Sequence, residues 1–492
     1  MLESVQYKSK VIIYLVLLVI AFLFIFTSPL NPFNLRRMHV DSSIYISIAQ
    51  GMTRGQILYK DLVDNKGPIL YLMSVPGLYF GGLAGIWITE LIVIFITFIF
   101  MYKTAHLLVC EKNALLTVFF TSLAMYPFYY VNAGTEAYSL PFLMISLYIF
   151  SKYYITNNTS LFEILVLGIC FICSIMIRLN MFPLWAGFCL IIIIESIIKK
   201  KFIDIIKYII AFTIGVCIIL FPIYLYLRYN NIIEDFYYHV IIGSIKRGFR
   251  FSLLKDIFKY IYIILNRNLS FLPLCIGIIC LFSKYKNINK YYFLGYLFSY
   301  LLSVVFLSTS SGNTHYNLIL IPFFVFTVAF LFDSFLNIFS QIKHKYMAVI
   351  FLFCVIFSEG IIKPVYYLFF FKTDSGVQLK IAGNIIDENT IAGDKIINLG
   401  WNGYIYPFTK RDYASKYIFQ SEAFDHIPGA QEEFVSSIIN DKPKIMTIFT
   451  AEDGDGSGQF KPGWHEDIYV LLETDYKIID DKHGLKIFLR NN

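Results

Sequence analysis

Apolar runs long enough to cross a lipid bilayer recur along most of this chain. A spanning helix needs about 20 mainly apolar residues, with a usual range of roughly 17 to 25. On that criterion we recognise about eleven runs in 492 residues. They cover residues 11–29, 83–101, 114–131, 137–151, 161–177, 181–198, 208–227, 261–282, 291–307, 317–333 and 346–363. The sequence therefore predicts a polytopic α-helical membrane protein.

Composition agrees with that class and excludes others. Hydrophobic residues make up 57% of the chain and charged residues only 15%, which excludes an ordinary soluble enzyme. The net charge of +7 does not indicate nucleic-acid binding, because the basic residues lie between apolar runs. The cysteines lie in or beside the same runs, so we expect neither a disulfide framework nor a zinc site, even at Cys170 and Cys173.

Three polar regions are longer than a helix hairpin needs: 30–82, 228–260 and 372–492. Segments 42–52, 69–80 and 236–259 combine helix-spaced apolar residues with polar ones, which is typical of amphipathic helices at a membrane surface. We predict a transmembrane module over 1–371 and a separate α/β domain over 372–492.

Within the C-terminal region the pattern indicates a helix over 376–388, strands over 395–399 and 445–449, and a closing hairpin over 476–489. The run Asp453 to Gly458 imitates the first half of a calcium loop. Trp464 stands where such a loop requires glutamate, so a plain glycine-rich loop is the preferred interpretation.

The distribution of lysine and arginine predicts an orientation. Lysines concentrate at the N-terminus and in alternate connections, which by the positive-inside rule places the N-terminus in the cytoplasm and the C-terminal region outside. Every arginine then falls on the outer side or at its boundary. The guanidinium fork suits bidentate binding of phosphate. Contact with lipid headgroups and binding of a phosphate-bearing ligand both explain this pattern.

The densest polar cluster follows the first apolar run. Asp41 lies a few residues beyond that run, where partial desolvation makes a carboxylate more basic and able to accept a proton. The alternative is that Asp41, Ser42 or Ser43 serves as the N-cap of the helix that follows. The two roles of Asp41 are compatible.

Three further polar residues lie on the same predicted side. Glu136 begins the fourth apolar run, where it also fits a simple helix-start charge. Arg178 interrupts two apolar runs and should therefore face a carboxylate, a phosphate or water. His315 precedes the tenth run, where it suits a phosphate donor, a proton relay or a hydrogen-bonded interfacial histidine.

These motifs together resemble the bacterial GT-C glycosyltransferases. The first loop carries Asp41-Ser-Ser-Ile-Tyr45, then Gly55-x-x-x-Tyr59-Lys-Asp61, then Lys66-Gly-Pro68. Later matches are Gly134-Thr-Glu136, Asn313-Thr-His315-Tyr316, Trp401 to Tyr406 and Lys410 to Ser415. The protein-mannosyltransferase-like and lipid A aminoarabinose-transferase-like members are the most similar group. The resemblance implies a GT-C-like fold with about eleven transmembrane helices, interfacial helices in the outer loops and an extracytoplasmic α/β domain.

The resemblance also implies an enzyme of the bacterial plasma membrane that uses a polyprenyl-phosphate sugar. Its acceptor would be an extracytoplasmic glycan, lipid or protein. Asp41 matches the catalytic acid of the first loop, and Asp61 or Glu136 would supply the second acid that many members place beside it. We expect an inverting displacement with Asp41 as general base and no required cofactor or metal. Phosphate contacts are expected from Lys66, Arg178, His315, Arg247 and Arg250, and acceptor or sugar contacts from Tyr45, Tyr59 and Tyr316.

Two other functions remain open from the sequence. A polysaccharide polymerase or ligase would use a lipid diphosphate-linked oligosaccharide, which the many arginines also suit. A transporter or flippase would show internal repeats or charges near the bilayer midplane. No repeat between the two halves is recognisable, and the distinctive polar residues gather on one predicted face of the membrane.

Overall fold

The computed structural model describes residues 2–248, 289–308, 313–370, 374–420, 424, 427–450 and 466–491. Helices occupy these ranges up to residue 369, and a small α/β unit follows from residue 375. The structure therefore changes from helices alone to a mixed α/β unit at the point where the sequence becomes polar.

The helices of the first part are α1 (Leu2–Ile25), α2 (Val40–Thr53), α3 (Pro68–His106), α4 (Glu111–Met125), α5 (Thr135–Thr156), α6 (Leu161–Ile175), α7 (Pro183–Ile198), α8 (Phe202–Tyr229), α9 (Ile233–Phe236), α10 (Gly243–Gly248), α11 (Lys290–Ser308), α12 (Ile321–Ile338), α13 (Lys345–Ile356) and α14 (Glu359–Phe369). Short 3₁₀ turns precede α5, α7 and α12, and a π-helical segment, Tyr237–Ile242, joins α9 to α10. Every predicted apolar run in the described ranges is mainly helical, with turns at the ends of some runs, and run 261–282 lies outside these ranges.

Length and composition alone give fewer spanning helices than the sequence predicts. Within the described ranges, Pro68–His106, Phe202–Tyr229, Lys290–Ser308 and Thr314–Ile338 are long and apolar enough to cross a membrane. The pair α13 and α14 would add one more, although it bends by 67° between the two helices. Lys10–Ile25, Leu161–Ile175 and Pro183–Ile198 are apolar but shorter. The count of eleven stays a prediction.

Gly82 divides α3 into two arms. Its φ of 58° lies in the left-handed region that glycine adopts without steric cost. The first arm contains the predicted surface segment 69–80, and the second contains the predicted span 83–101. The two predicted elements are therefore two helical arms that meet at a sharp break at Gly82.

Helix α8 shows why these helices need an apolar solvent. Only Ala211, Gly215, Ile223 and Leu227 of its 28 residues are buried. Most of its isoleucines remain exposed, and Ile203 reaches 70%. A helix that is apolar on all sides and so little covered by protein presents the surface of a lipid-facing span.

The C-terminal unit, defined here as the described residues from 374 onward, contains a five-stranded sheet. Its helices are α15 (Ser375–Glu388), α16 (Ala430–Asp441) and α17 (Glu466–Asp475), and its strands are β1 (Lys395–Leu399), β2 (Asp412–Tyr413), β3 (Ile445–Phe449), β4 (Tyr476–Asp480) and β5 (Leu485–Arg490). The strand order is β2-β1-β3-β5-β4. Strands β2, β1 and β3 run parallel, whereas β5 is antiparallel to β3 and β4.

The secondary-structure predictions for this unit are confirmed at β1 and β3, which have the predicted bounds, and at the final hairpin. Every residue of β3 is buried, as expected for a strand covered on both faces. The glycine-rich run 453–458 lies outside the described residues.

Candidate active site

The N-terminus of α2 presents the Asp41 carboxylate, for which the described part of the chain offers no hydrogen-bond or ion-pair partner. The helix begins at Val40, two residues before the predicted start at residue 42, and His39 is its N-cap: the Asp41 backbone N–H donates to His39 Nδ1 at 3.2 Å. The expectation that Asp41, Ser42 or Ser43 caps this helix is therefore wrong. Asp41 is half-buried. No hydrogen bond or ion pair of its carboxylate is found within the described ranges.

Glu136 and Arg178 form a buried ion pair. Glu136 lies in the first turn of α5, and Arg178 lies in the turn between α6 and α7. The Glu136 side chain is only 2% exposed, and its second oxygen accepts a 2.7 Å hydrogen bond from Thr135 Oγ1. Burial opposes the charge on Arg178, but Glu136 outweighs it and holds the pKa of the guanidinium above its ordinary value. Of the three partners expected for Arg178, the structure shows the carboxylate.

Aromatic and imidazole rings surround this pair. The Arg178 guanidinium stacks on the Tyr316 ring at 4.1 Å from its centroid. The neighbouring His315 ring is buried, and its Nδ1 lies 3.1 Å from Tyr130 Oη. The His39 ring lies 5.6 Å from that of Tyr130 and 5.9 Å from that of His315, centroid to centroid. The first loop, the α4–α5 connection and the turn before α12 therefore meet here.

Tyr45, one turn after Asp41, shows how closely the acids converge. Burial raises its pKa well above the ordinary value, and the nearby carboxylates of Asp41, Asp64 and Glu136 raise it further. The phenol therefore stays protonated and can donate a hydrogen bond. The Asp41 and Glu136 carboxylates therefore both lie near this phenol.

Lys66 lies in a tightly packed loop beside the Arg178 turn. Its Nζ donates to Asn65 Oδ1 at 2.7 Å, and its carbonyl accepts from Tyr59 Oη at 2.7 Å. A Cβ on the following Gly67 would stand 2.1 Å from the Met176 carbonyl oxygen, so only glycine fits there. Tyr59 is 1% exposed and holds this loop. Its predicted contact with acceptor or sugar would first require that hydrogen bond to break.

The remaining predicted residues are not brought to this cluster by any described contact. Asp61 accepts a 2.8 Å hydrogen bond from the Ile57 backbone N–H, which closes a local turn. Arg250 lies outside the described residues. Arg247 lies in α10, and its side chain also lies outside what the structure describes.

Glu90 is a buried carboxylate that sequence reasoning did not single out. It is fully buried in α3, accepts from Ser28 Oγ at 2.8 Å, and accepts from the Ala133 backbone N–H at 3.0 Å. Ala133 has a left-handed φ of 51° and lies just before the helix that carries Glu136. Glu90 therefore ties α1 and α3 to the start of α5. The one sequence feature that points to Glu90 is its position as an acidic residue inside a predicted apolar run.

Groups of three or more metal-ligating side chains are not found in the described part of the chain.

Tyr130 and His39, like Glu90, come to the site only because distant segments of the chain pack together.

Comparison with solved structures identifies the architecture. The crystal structure of ArnT from Cupriavidus metallidurans in the apo state superimposes with a TM-score of 0.66 at 12% identity, covering 98% of each chain. This chain has the fold of that ArnT structure. The structure of the same ArnT bound to undecaprenyl phosphate gives a TM-score of 0.64 with equal identity and coverage.

A second, more distant neighbour shares much of this fold. The archaeal oligosaccharyltransferase AglB from Archaeoglobus fulgidus, in complex with an inhibitory peptide and a dolichol-phosphate, gives a TM-score of 0.52 at 10% identity. That match covers 89% of this chain and 69% of AglB. No protein-family model and no curated protein sequence matches the chain significantly. The similarity therefore lies in the fold, which confirms the fold part of the resemblance seen in the sequence.

Proposed function

We propose that this protein is a membrane glycosyltransferase that moves a sugar from a polyprenyl-phosphate carrier to an extracytoplasmic acceptor. The acceptor would be a cell-envelope glycan, a lipid or a protein, and the enzyme would lie in a bacterial plasma membrane with its N-terminus in the cytoplasm. One observation carries the proposal: the Asp41 carboxylate, which has no ion pair in the described ranges, stands two residues after His39, whose ring faces His315 beside the Tyr316 ring on which Arg178 stacks. The fold shared with ArnT, whose structure holds undecaprenyl phosphate, supports the carrier.

Asp41 would act as the general base. As the acceptor hydroxyl oxygen bonds to the anomeric carbon, the bond from that carbon to the phosphate oxygen breaks, and the hydroxyl proton passes to Asp41. The sugar configuration inverts, and the polyprenyl phosphate leaves with both electrons of the broken bond. A partnerless, half-buried carboxylate suits this task, because no ion pair has to break before it accepts the proton.

Arg178 would neutralise the leaving phosphate. One nitrogen pairs with Glu136, and a guanidinium has five N–H donors in a planar fork, so the others can bind phosphate oxygens. Glu136 and Tyr316 fix the orientation of this fork. We assign Glu136 this orienting role. Lys66 and His315 would add donors from the two neighbouring segments.

A lipid diphosphate-linked oligosaccharide is the second candidate donor. The AglB neighbour is an oligosaccharyltransferase, which favours an oligosaccharide as the transferred group, but the carrier in its structure is a dolichol-phosphate and gives no support to a diphosphate. Transport has less support, because Asp41, Glu136, Arg178 and His315 gather at the ends of helices and in the turns between them.

The test is a donor screen with the purified protein in lipid nanodiscs. Undecaprenyl-phosphate sugars and undecaprenyl-diphosphate sugars are each offered with a cell-envelope extract as the acceptor source. Release of undecaprenyl phosphate, with sugar transferred to the extract, is the expected result. Release of undecaprenyl diphosphate would select the second candidate. No release from either donor class, with undecaprenyl phosphate also failing to bind, would reject glycosyl transfer.

A further inference from the structure

A row of hydrogen bonds joins the C-terminal unit to α2, the helix that begins beside Asp41. Gly403 donates its backbone N–H to Ser43 Oγ at 3.0 Å. The single Ser47 hydroxyl hydrogen is shared between the Ser43 carbonyl at 2.6 Å and the Gly403 carbonyl at 3.1 Å. Tyr413 Oη donates to the Ser47 carbonyl at 2.8 Å. At the far end of α2, Arg54 Nη2 donates to the Thr409 carbonyl at 2.6 Å. Positions 43, 47 and 54 repeat at helical spacing, so one face of α2 carries the contact.

Gly403 fits this face because it has no side chain. An added Cβ would stand 2.8 Å from Ser47 Oγ and 2.9 Å from the Ser43 carbonyl oxygen. The Ser47 hydroxyl can rotate away, but the Ser43 carbonyl is part of the helix backbone and cannot. A methyl group here would therefore push the C-terminal unit away from α2.

The contact reaches the residue next to Asp41. Ser43 Oγ accepts from Gly403 and donates its own hydrogen to the Val40 carbonyl at 2.6 Å. The first turn of α2 is thereby tied through one hydroxyl to the C-terminal unit. Ser43 and Ser47 are fully buried, so water does not replace these bonds at low cost.

We propose that the C-terminal unit positions the catalytic base, with Gly403 and Tyr413 as positioning residues that act through α2. This inference rests on the proposed role of Asp41. It assigns the C-terminal unit a part in turnover with every acceptor. A unit that only covers the site, or only captures the acceptor, would not need these bonds at the first turn of α2.

The expected loss of activity in Gly403→Ala follows from the steric clash between the added Cβ and α2. Carbon and oxygen need about 3.4 Å, so Gly403→Ala must open the contact by roughly half an ångström. A misplacement of about 1 Å can cost 10²-fold in rate, so we expect a fall in kcat of roughly tenfold. The KM for the donor should change little, because the predicted phosphate contacts lie on other segments.

The experiment uses the full chain in nanodiscs and compares Gly403→Ala with Gly81→Ala. Gly81 is an exposed residue of α3 with open space around it, so the same methyl meets nothing there. Hydrogen exchange is measured on peptides from α2 and from β1 and β3. We expect faster exchange at the start of α2 in Gly403→Ala, unchanged exchange in β1 and β3, and wild-type exchange in Gly81→Ala.

Tyr413→Phe provides a second variant that removes one hydrogen bond without adding bulk, and a milder change in the same peptides is expected. Unchanged α2 exchange in both variants would overturn the inference. A normal kcat with a raised KM for the acceptor would also overturn it in favour of acceptor capture. The exchange measurement needs no substrate, so it separates failure of the positioning role from failure of the proposed function.

Discussion

Variants of the buried ion pair of Glu136 and Arg178 separate its contribution to protein stability from its contribution to activity. Arg178→Met removes the cation and leaves the Glu136 carboxylate, only 2% exposed, without a counter-ion. Breaking a buried ion pair from one side costs about 3–5 kcal/mol. Thr135 still donates to Glu136, so we expect a value near the lower end, about 3 kcal/mol.

The double variant Glu136→Leu with Arg178→Met removes both charges and keeps most of the volume. Replacing a buried pair with apolar groups is often neutral for stability. The double variant should therefore melt close to the wild type, whereas Arg178→Met alone should melt roughly 5 °C or more lower. Activity should be lost in both, because the fork that would neutralise the phosphate is absent, which costs about 10²–10³-fold.

The assay is thermal unfolding in detergent, followed by intrinsic fluorescence, together with single-turnover transfer from the donor found in the screen. Equal melting temperatures of the single and double variants would refute the ion-pair reasoning. A double variant with normal turnover would show that Arg178 has no part in donor chemistry.

Three further predictions follow from individual contacts. Glu90→Leu leaves the Ser28 hydroxyl and the Ala133 N–H without their acceptor. We expect a loss in the free energy of unfolding of about 1–3 kcal/mol per group, measured as a lower melting temperature. Glu90→Gln keeps one acceptor oxygen and should recover most of this stability, and equal losses in both variants would contradict this view. Gly67→Ala would drive a Cβ into the Met176 carbonyl and should lower both stability and donor affinity, whereas Gly81→Ala should change neither. Tyr130→Phe removes the hydroxyl that faces His315 and should lower kcat up to about tenfold with a normal melting temperature. An unchanged kcat would show that Tyr130 does not orient His315 for the reaction.

The sequence predicted elements whose pattern is local. Strands β1 and β3 have the predicted bounds because short apolar runs flanked by polar residues carry their own boundaries. The helix after Asp41 was predicted for the same reason. The helix break at Gly82 was predicted only as a boundary between two elements, because periodicity does not show whether a glycine ends a helix or bends it.

Long-range packing set the limits of the sequence analysis. The ion pair of Glu136 and Arg178 joins residues 42 positions apart, and sequence reasoning could require a partner for Arg178 without identifying it. The contact of His315 with Tyr130 spans 185 positions and has no local signature. Asp61 matched a motif by spacing, yet its carboxylate closes a turn within five residues. Composition and spacing alone do not show which of these side chains reach the cluster and which make only local contacts.

Asp41→Asn tests the central claim most directly, with Asp441→Asn as a control in an exposed ion pair with Lys395 on the surface of the C-terminal unit. The change removes the base but keeps the size of a side chain that has no ion pair within the described ranges. Turnover and binding of undecaprenyl phosphate are measured on the same preparation. The account predicts that Asp41→Asn lowers kcat about 10²–10⁴-fold, that the Kd for undecaprenyl phosphate stays within a few fold of the wild type, and that Asp441→Asn changes neither. Near-normal turnover by Asp41→Asn would show that Asp41 is not the base.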